Sequence, residues 1–210
     1  MSIRTEIAQT GAVLEGEFLI ALKKRGNVAT KYVNTDFVFP HPALVAKVGF
    51  LLLDPWEGEV DAITGPAVGG IPLVYAAALS RAGRGIKTTV WADKQSDGTF
   101  LFERMGFKEA LRGKRTLILE DIASTGDSAK AVGKLVEEAG GYVVGYNFIW
   151  NRGQVTAAHM GAITLSLIEE AIPAHKAEEH PMWGKWPLAT DVGHPEYFPD
   201  YPGPKIKIRS

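Results

Sequence analysis

From Val60 onward the chain alternates short apolar runs with helix-like stretches, and that alternation restricts the fold more than any other feature. Val60–Thr64 is a compact, partly β-branched run that stops at Gly65-Pro66. Ile71–Ala82 is rich in alanine and leucine and reads as a helix stopped by Gly83. Ile86–Ala92 and Thr116–Leu119 read as the next strands. Ser128–Ala139 puts Ala131, Val132, Leu135 and Val136 on one helical face and closes at Gly140-Gly141. Tyr142–Trp150 and Ile163–Ile168 complete the series. Strands alternating with helices, several of them apolar throughout, predict an α/β fold built on a doubly wound parallel sheet.

The flanks are less regular. Glu6–Leu14 reads as a helix and Tyr32–Phe39 as a strand. The last stretch carries Pro173, Pro181, Pro187, Pro195, Pro199, Pro202 and Pro204 among aromatics, which argues against helix and for an ordered extension wrapped over the core. With 210 residues, 46% of them hydrophobic, the expectation is one domain: segment 1–55, a core over 56–170 and an extension over 171–210. A net charge of −1 supplies no field for nucleic acid or an anionic membrane. The absence of cysteine excludes disulfides and thiolate metal sites. Residues 1–13 lack a signal peptide's apolar run, and no apolar stretch reaches membrane-spanning length. A cytoplasmic protein is expected.

The chemistry concentrates between Thr116 and Ser128. An apolar strand delivers Glu120 and Asp121 to its carboxyl end, Ala123, Ser124, Thr125, Gly126 and Asp127 form a small-residue turn, and a helix begins at Ser128. In an open α/β sheet ligands bind beyond the carboxyl ends of the strands. There, backbone N–H groups, hydroxyls and a helix amino end converge on a phosphate, with two acids close by to accept paired hydroxyls. That combination describes a ribose 5-phosphate site. The plainer reading, an acidic cap on a helix, needs only one such residue. Neither a G-x-x-x-x-G-K-[ST] loop nor a G-x-G-x-x-G turn after a strand is present.

The stretch from Leu117 to Ser128 resembles the signature of type I phosphoribosyltransferases, which bind 5-phosphoribosyl 1-pyrophosphate (PRPP). The resemblance implies PRPP binding by Glu120, Asp121, Ala123, Ser124, Thr125, Gly126, Asp127 and Ser128, with Asp121 also serving catalysis. Asp127 is unusual beside an anion and is expected to turn away or cap the helix. Thr64–Pro72 resembles the pyrophosphate loop of the orotate phosphoribosyltransferases and implicates Gly69 and Gly70, whose missing side chains let backbone approach an anion. Some relatives carry lysine at the Gly69 position. Trp91–Phe107 resembles that family's catalytic loop and implies that Lys94, and Arg104 or a neighbour, contact the departing pyrophosphate; a β-hairpin with solvated charges is the alternative.

Trp150-Asn151-Arg152-Gly153 resembles the Asp-Arg-Gly motif whose arginine holds the orotate carboxylate, a role the guanidinium fork suits. Asn151 replaces the usual acid. Gly11–Val33 resembles the family's hood, implicating Tyr32 and Lys23, or Lys31, in base binding. His180–His194 resembles a terminal segment that carries paired cysteines in some members; with those absent, no metal is expected there, and His175, His180 and His194 read as surface or packing residues. The resemblance further implies orotate and PRPP as substrates, Mg²⁺ held largely by substrate and water, and a homodimer. A phosphoribosyltransferase for another base, or a non-catalytic regulator on the same fold, remain the alternatives.

Overall fold

The computed structural model describes residues 1–22, 24–56, 60–81, 86–153 and 155–209. Lys23 and the expected helix stop at Gly83 lie outside the described residues. The chain forms two compact units: Met1–Ile7 with Thr35–Ala171, and Ala8–Asn34 with the chain from Ile172 onward. The stretch from Thr35 to Leu53, expected with the amino-terminal segment, is therefore part of the larger unit.

Helix α1 (Ile3–Gln9) opens the chain, followed by antiparallel strands β1 (Val13–Ala21) and β2 (Asn27–Val33). The helix expected to reach Leu14 stops earlier because Gly11 turns the backbone to φ 84°, and Leu14 instead pairs with Tyr32 across the ladder. The strand expected to run to Phe39 ends at Val33, where a 3₁₀ turn over Thr35–Phe37 intervenes. Helix α2 (Pro42–Leu53) has no counterpart among the sequence expectations. Its twelve residues include a single charged one, Lys47, so it lacks the polar face that would reveal a helical period.

In the larger unit α2 leads into β3 (Ala62–Thr64), α3 (Gly70–Ser80), β4 (Thr88–Thr89), β5 (Asp93–Lys94), β6 (Phe100–Leu101), α4 (Phe107–Leu111), β7 (Arg115–Ala123), α5 (Asp127–Glu138), β8 (Tyr142–Asn151), α6 (Ala157–Met160) and β9 (Ile163–Glu169). Five of these strands form a parallel sheet in the order β4-β3-β7-β8-β9. Helices cover both faces, as two neighbours on β8 demonstrate. Asn147 donates its side-chain amide to the Leu52 carbonyl of α2 at 2.6 Å, whereas the Tyr146 hydroxyl reaches Gly133 of α5. Leu117, Ile118, Leu119, Phe148, Ile149 and Trp150 are fully buried, each contributing about 1.5–3 kcal/mol by leaving water. The sheet is thus doubly wound, as the alternation predicts. The Ile86–Ala92 strand is shorter than expected, with an isolated Pro66–Ala92 bridge continuing it, and β7 runs on through both acids to Ala123.

The smaller unit completes its sheet with β10 (His175–Lys176), β11 (Leu188–Ala189) and β12 (Lys205–Ile206), in the order β10-β2-β1-β11-β12. The proline-rich tail is ordered and carries no α-helix among its described residues. Together with β1 and β2 it builds one core, in which Leu19, Val28 and Leu188 pack with Trp183, Trp186 and Tyr201. The Tyr201 hydroxyl donates to the Trp186 carbonyl and accepts from the Gly184 N–H. The His175 and His180 rings meet edge to face at 5.1 Å, and His194 stacks on Tyr197, which are packing roles.

Candidate functional site

Because β7 extends past the acids, Glu120 and Asp121 fall on opposite faces of the strand. Both acids, expected close by as acceptors for paired hydroxyls, thus approach the carboxyl end of β7 from different sides. Glu120 is buried on the α5 face, with the Ser128 hydroxyl and the Ala129 N–H at the start of that helix near its carboxyl. Burial, then the charge of Asp121, push its carboxyl up to about 8, and those two donors oppose the shift.

Asp121 lies on the other face, against the loop that enters α3. A Cβ on Gly69 would stand 2.7 Å from its Oδ2, so only glycine leaves the carboxylate in place. The Thr35 hydroxyl donates to Oδ2, and the Ile122 N–H donates to Oδ1 at 2.9 Å. Burial raises the Asp121 carboxyl above its ordinary range, these bonds lower it, and the Asp36 charge raises it further. Thr35 is a functional candidate that the sequence reading missed. It is 86 positions from Asp121, and nothing local marks it.

After β7 closes at Ala123, the chain turns through Ser124 and Thr125 to Gly126, whose φ of 79° admits glycine readily and side chains rarely. The Thr125 hydroxyl donates to Asp127 Oδ2 at 2.7 Å, so the acid at the head of α5 is tied back to the turn. Ser128 turns inward to Glu120. On the other face the Gly65–Gly70 loop is held by Ala67 N–H to Ala92 O and Gly70 N–H to Pro66 O. Gly69 immediately precedes α3 and Gly70 is its first residue. Two helix amino ends thus follow the carboxyl ends of adjacent strands β3 and β7, an arrangement that favours anions.

Strands β5 and β6 pair as a hairpin with Gly98 at its tip, φ 87°. Lys94 is exposed, its Nζ 6.0 Å from the Phe100 ring centre. Arg104 is also exposed, lies 3.5 Å from Asp93 Oδ2 and covers the Trp91 ring, while Trp91 Nε1 donates to the same carboxylate. Beyond β8, Arg152 Nη1 donates to Ser124 Oγ at 3.3 Å, which brings the base-site candidate beside the phosphate turn. Asn151 is buried and organises the following loop, donating to the Val155 carbonyl at 2.7 Å and accepting from the N–H groups of Gly153 and Val155. An amide can donate and accept together where a carboxylate can only accept.

Tyr32 belongs to the smaller unit and packs with Leu14, Phe18 and Ile208 around Ile20 and Ala189. Lys31, in the same unit, forms an ion pair with Glu15 at 3.1 Å.

Acids and a hydroxyl- and glycine-rich turn at the carboxyl end of a central parallel strand define a phosphate-binding protein of the open α/β class. The family model for the phosphoribosyl transferase domain matches residues 35–181, and the chain belongs to that family of pentosyltransferases. The orotate phosphoribosyltransferase of Campylobacter concisus is 32% identical over 164 residues, covering 77% of this chain and 76% of its own. That of Thermus thermophilus is 30% identical over 175 residues, covering 83% and 90%. Among solved structures, the orotate phosphoribosyltransferase from Aeropyrum pernix aligns with a TM-score of 0.63 over 80% of this chain and 93% of that one, at 20% identity, a likeness of fold.

Proposed function

We propose that the chain transfers the 5-phosphoribosyl group of PRPP to orotate, releasing pyrophosphate and giving orotidine 5′-monophosphate. The observation that carries this reading is the β7–α5 turn, where a positioned carboxylate, hydroxyls and a helix amino end converge. In this reading the 5-phosphate binds Ser124–Ser128 and the ribose hydroxyls meet Asp121. Pyrophosphate lies along Gly69 and Gly70 at the head of α3. Arg152 takes the orotate carboxylate, which its position beside Ser124 supports.

The Asp121 and Asp127 carboxylates beside the turn would repel a bare polyanion, so the site suits PRPP that arrives with a cation. Among the described residues no group of three or more His, Asp or Glu side chains is arranged to hold a metal ion. Mg²⁺ carried in with PRPP would supply charge neutralisation on the leaving group. The protein's own part is to orient the ribose, exclude water and bring Lys94, with Arg104 or a neighbour, over the departing charge.

A homodimer belongs to the same reading. Exposed Phe50, Tyr75 and Leu79 on α2 and α3 support it, being large apolar side chains that a partner would cover.

The test is pyrophosphate release from PRPP and Mg²⁺ with orotate, uracil, adenine, guanine, hypoxanthine and xanthine supplied separately. Release with orotate alone is expected. Release with a different base would move the specificity, and PRPP binding without release would mark a regulator.

A further inference from the structure

The Thr35–Asp121 contact carries an inference that rests on the reading above and deepens it. Thr35 is 1% exposed, starts the 3₁₀ turn over Thr35–Phe37, and is fixed there by the Val38 N–H donating to its carbonyl at 2.8 Å. Its hydroxyl is spent on Asp121 Oδ2, while Oδ1 takes the Ile122 N–H. With one donor on each oxygen the carboxylate cannot swing about its χ torsions. Each oxygen keeps a second lone pair, enough to accept two adjacent ribose hydroxyls. The Gly69 side of the carboxylate is clear of side-chain atoms from that residue, because a Cβ there would stand 2.7 Å from Oδ2. Meanwhile Glu120 is buried on the opposite face of β7, against the start of α5. One pinned carboxylate therefore remains to receive the diol.

We infer that Thr35 is a positioning residue for PRPP: it orients and supports Asp121 for the ribose hydroxyls without itself touching the substrate. The role needs a hydroxyl, and a side chain of the same shape without one cannot fill it. The charged group facing Asp121 from the Thr35 turn is the Asp36 carboxylate, which disfavours ionisation, so the Thr35 donor acts against both burial and that neighbour.

The experiment compares wild type, Thr35→Val and Thr35→Ser as full-length chains. PRPP·Mg²⁺ binding is measured by calorimetry, the KM values for PRPP and orotate by turnover, and Asp121 ionisation by carboxyl ¹³C NMR without ligand. Thr35→Val is expected to weaken PRPP about tenfold, the order of one hydrogen bond to a charged group. The orotate KM should stay within about twofold, the Asp121 titration should move to higher pH, and Thr35→Ser should restore all three. Unchanged PRPP affinity in Thr35→Val, or a failure of serine to rescue, overturns the inference. A wild-type chain that binds no PRPP overturns the proposed function itself, and the ligand-free titration still decides whether Thr35 sets the Asp121 carboxyl.

Discussion

The β7–α5 turn and the β5–β6 hairpin carry the two halves of the proposed chemistry, and they are built in opposite ways. At the turn, Glu120 is buried and Asp121 half-buried, and the Asp121 carboxylate is held by the Thr35 hydroxyl and the Ile122 N–H. On the hairpin, Lys94 and Arg104 are exposed; each faces one aromatic ring, and Arg104 adds one ion pair. A half-buried, doubly bonded carboxylate is fixed before any ligand arrives, which suits recognition of a ribose. An exposed cation is free to reorient, which suits charge that appears only as the bond to pyrophosphate breaks. The difference teaches that binding and turnover should separate under mutation.

The largest expected effect tests that separation on the hairpin. Lys94→Ala should lower kcat by about 100-fold or more, the scale of losing one charge-stabilising donor, and leave the Kd for PRPP within about threefold. Its melting temperature should not move measurably, since the side chain is exposed. Equal losses in kcat and affinity, measured by turnover and calorimetry, would erase the distinction between the two regions.

Asp121→Asn probes the other half. PRPP binding should weaken about 10- to 100-fold, because a hydrogen bond to a charged group is replaced by one to a neutral amide. An unaltered Kd would remove Asp121 from the ribose and with it the role assigned to the turn.

The smallest effect sharpens the contrast between the two acids. Glu120 holds its proton up to about pH 8 in the folded chain, against an ordinary value of 4.5. Between those values the folded state keeps a proton that the unfolded chain releases, so stability falls as pH rises through this window. Glu120→Gln keeps a neutral side chain of the same shape there and removes that dependence. The variant's melting temperature should match wild type near pH 5 and exceed it near pH 8, the gap widening as pH rises between those values. Parallel melting curves across the range would mean that Glu120 is ionised in the folded protein.

The parallel sheet was legible because each of its central strands is a contiguous apolar run, and contiguity survives in a linear reading. The same holds for the acids and the Ser124–Ser128 turn, which lie within nine residues of one another. Helix α2 was not legible, because its side chains are apolar nearly all round and no period stands out. Asn151 looked like a departure from the usual acid, yet its amide both donates to the Val155 carbonyl and accepts from the Gly153 and Val155 N–H groups, which a carboxylate could not do.

The sequence by itself determined the fold class, the position of the small-residue turn between β7 and α5, and the family, since all three rest on neighbours along the chain. Only the tertiary structure decided which way the two acids face, and that Thr35 supports Asp121. It also decided that the two ends of the chain share a sheet. The physical reason is the same in each case. Side-chain direction depends on where a strand ends, and partners 86 or more positions apart meet only through packing. No local pattern records either.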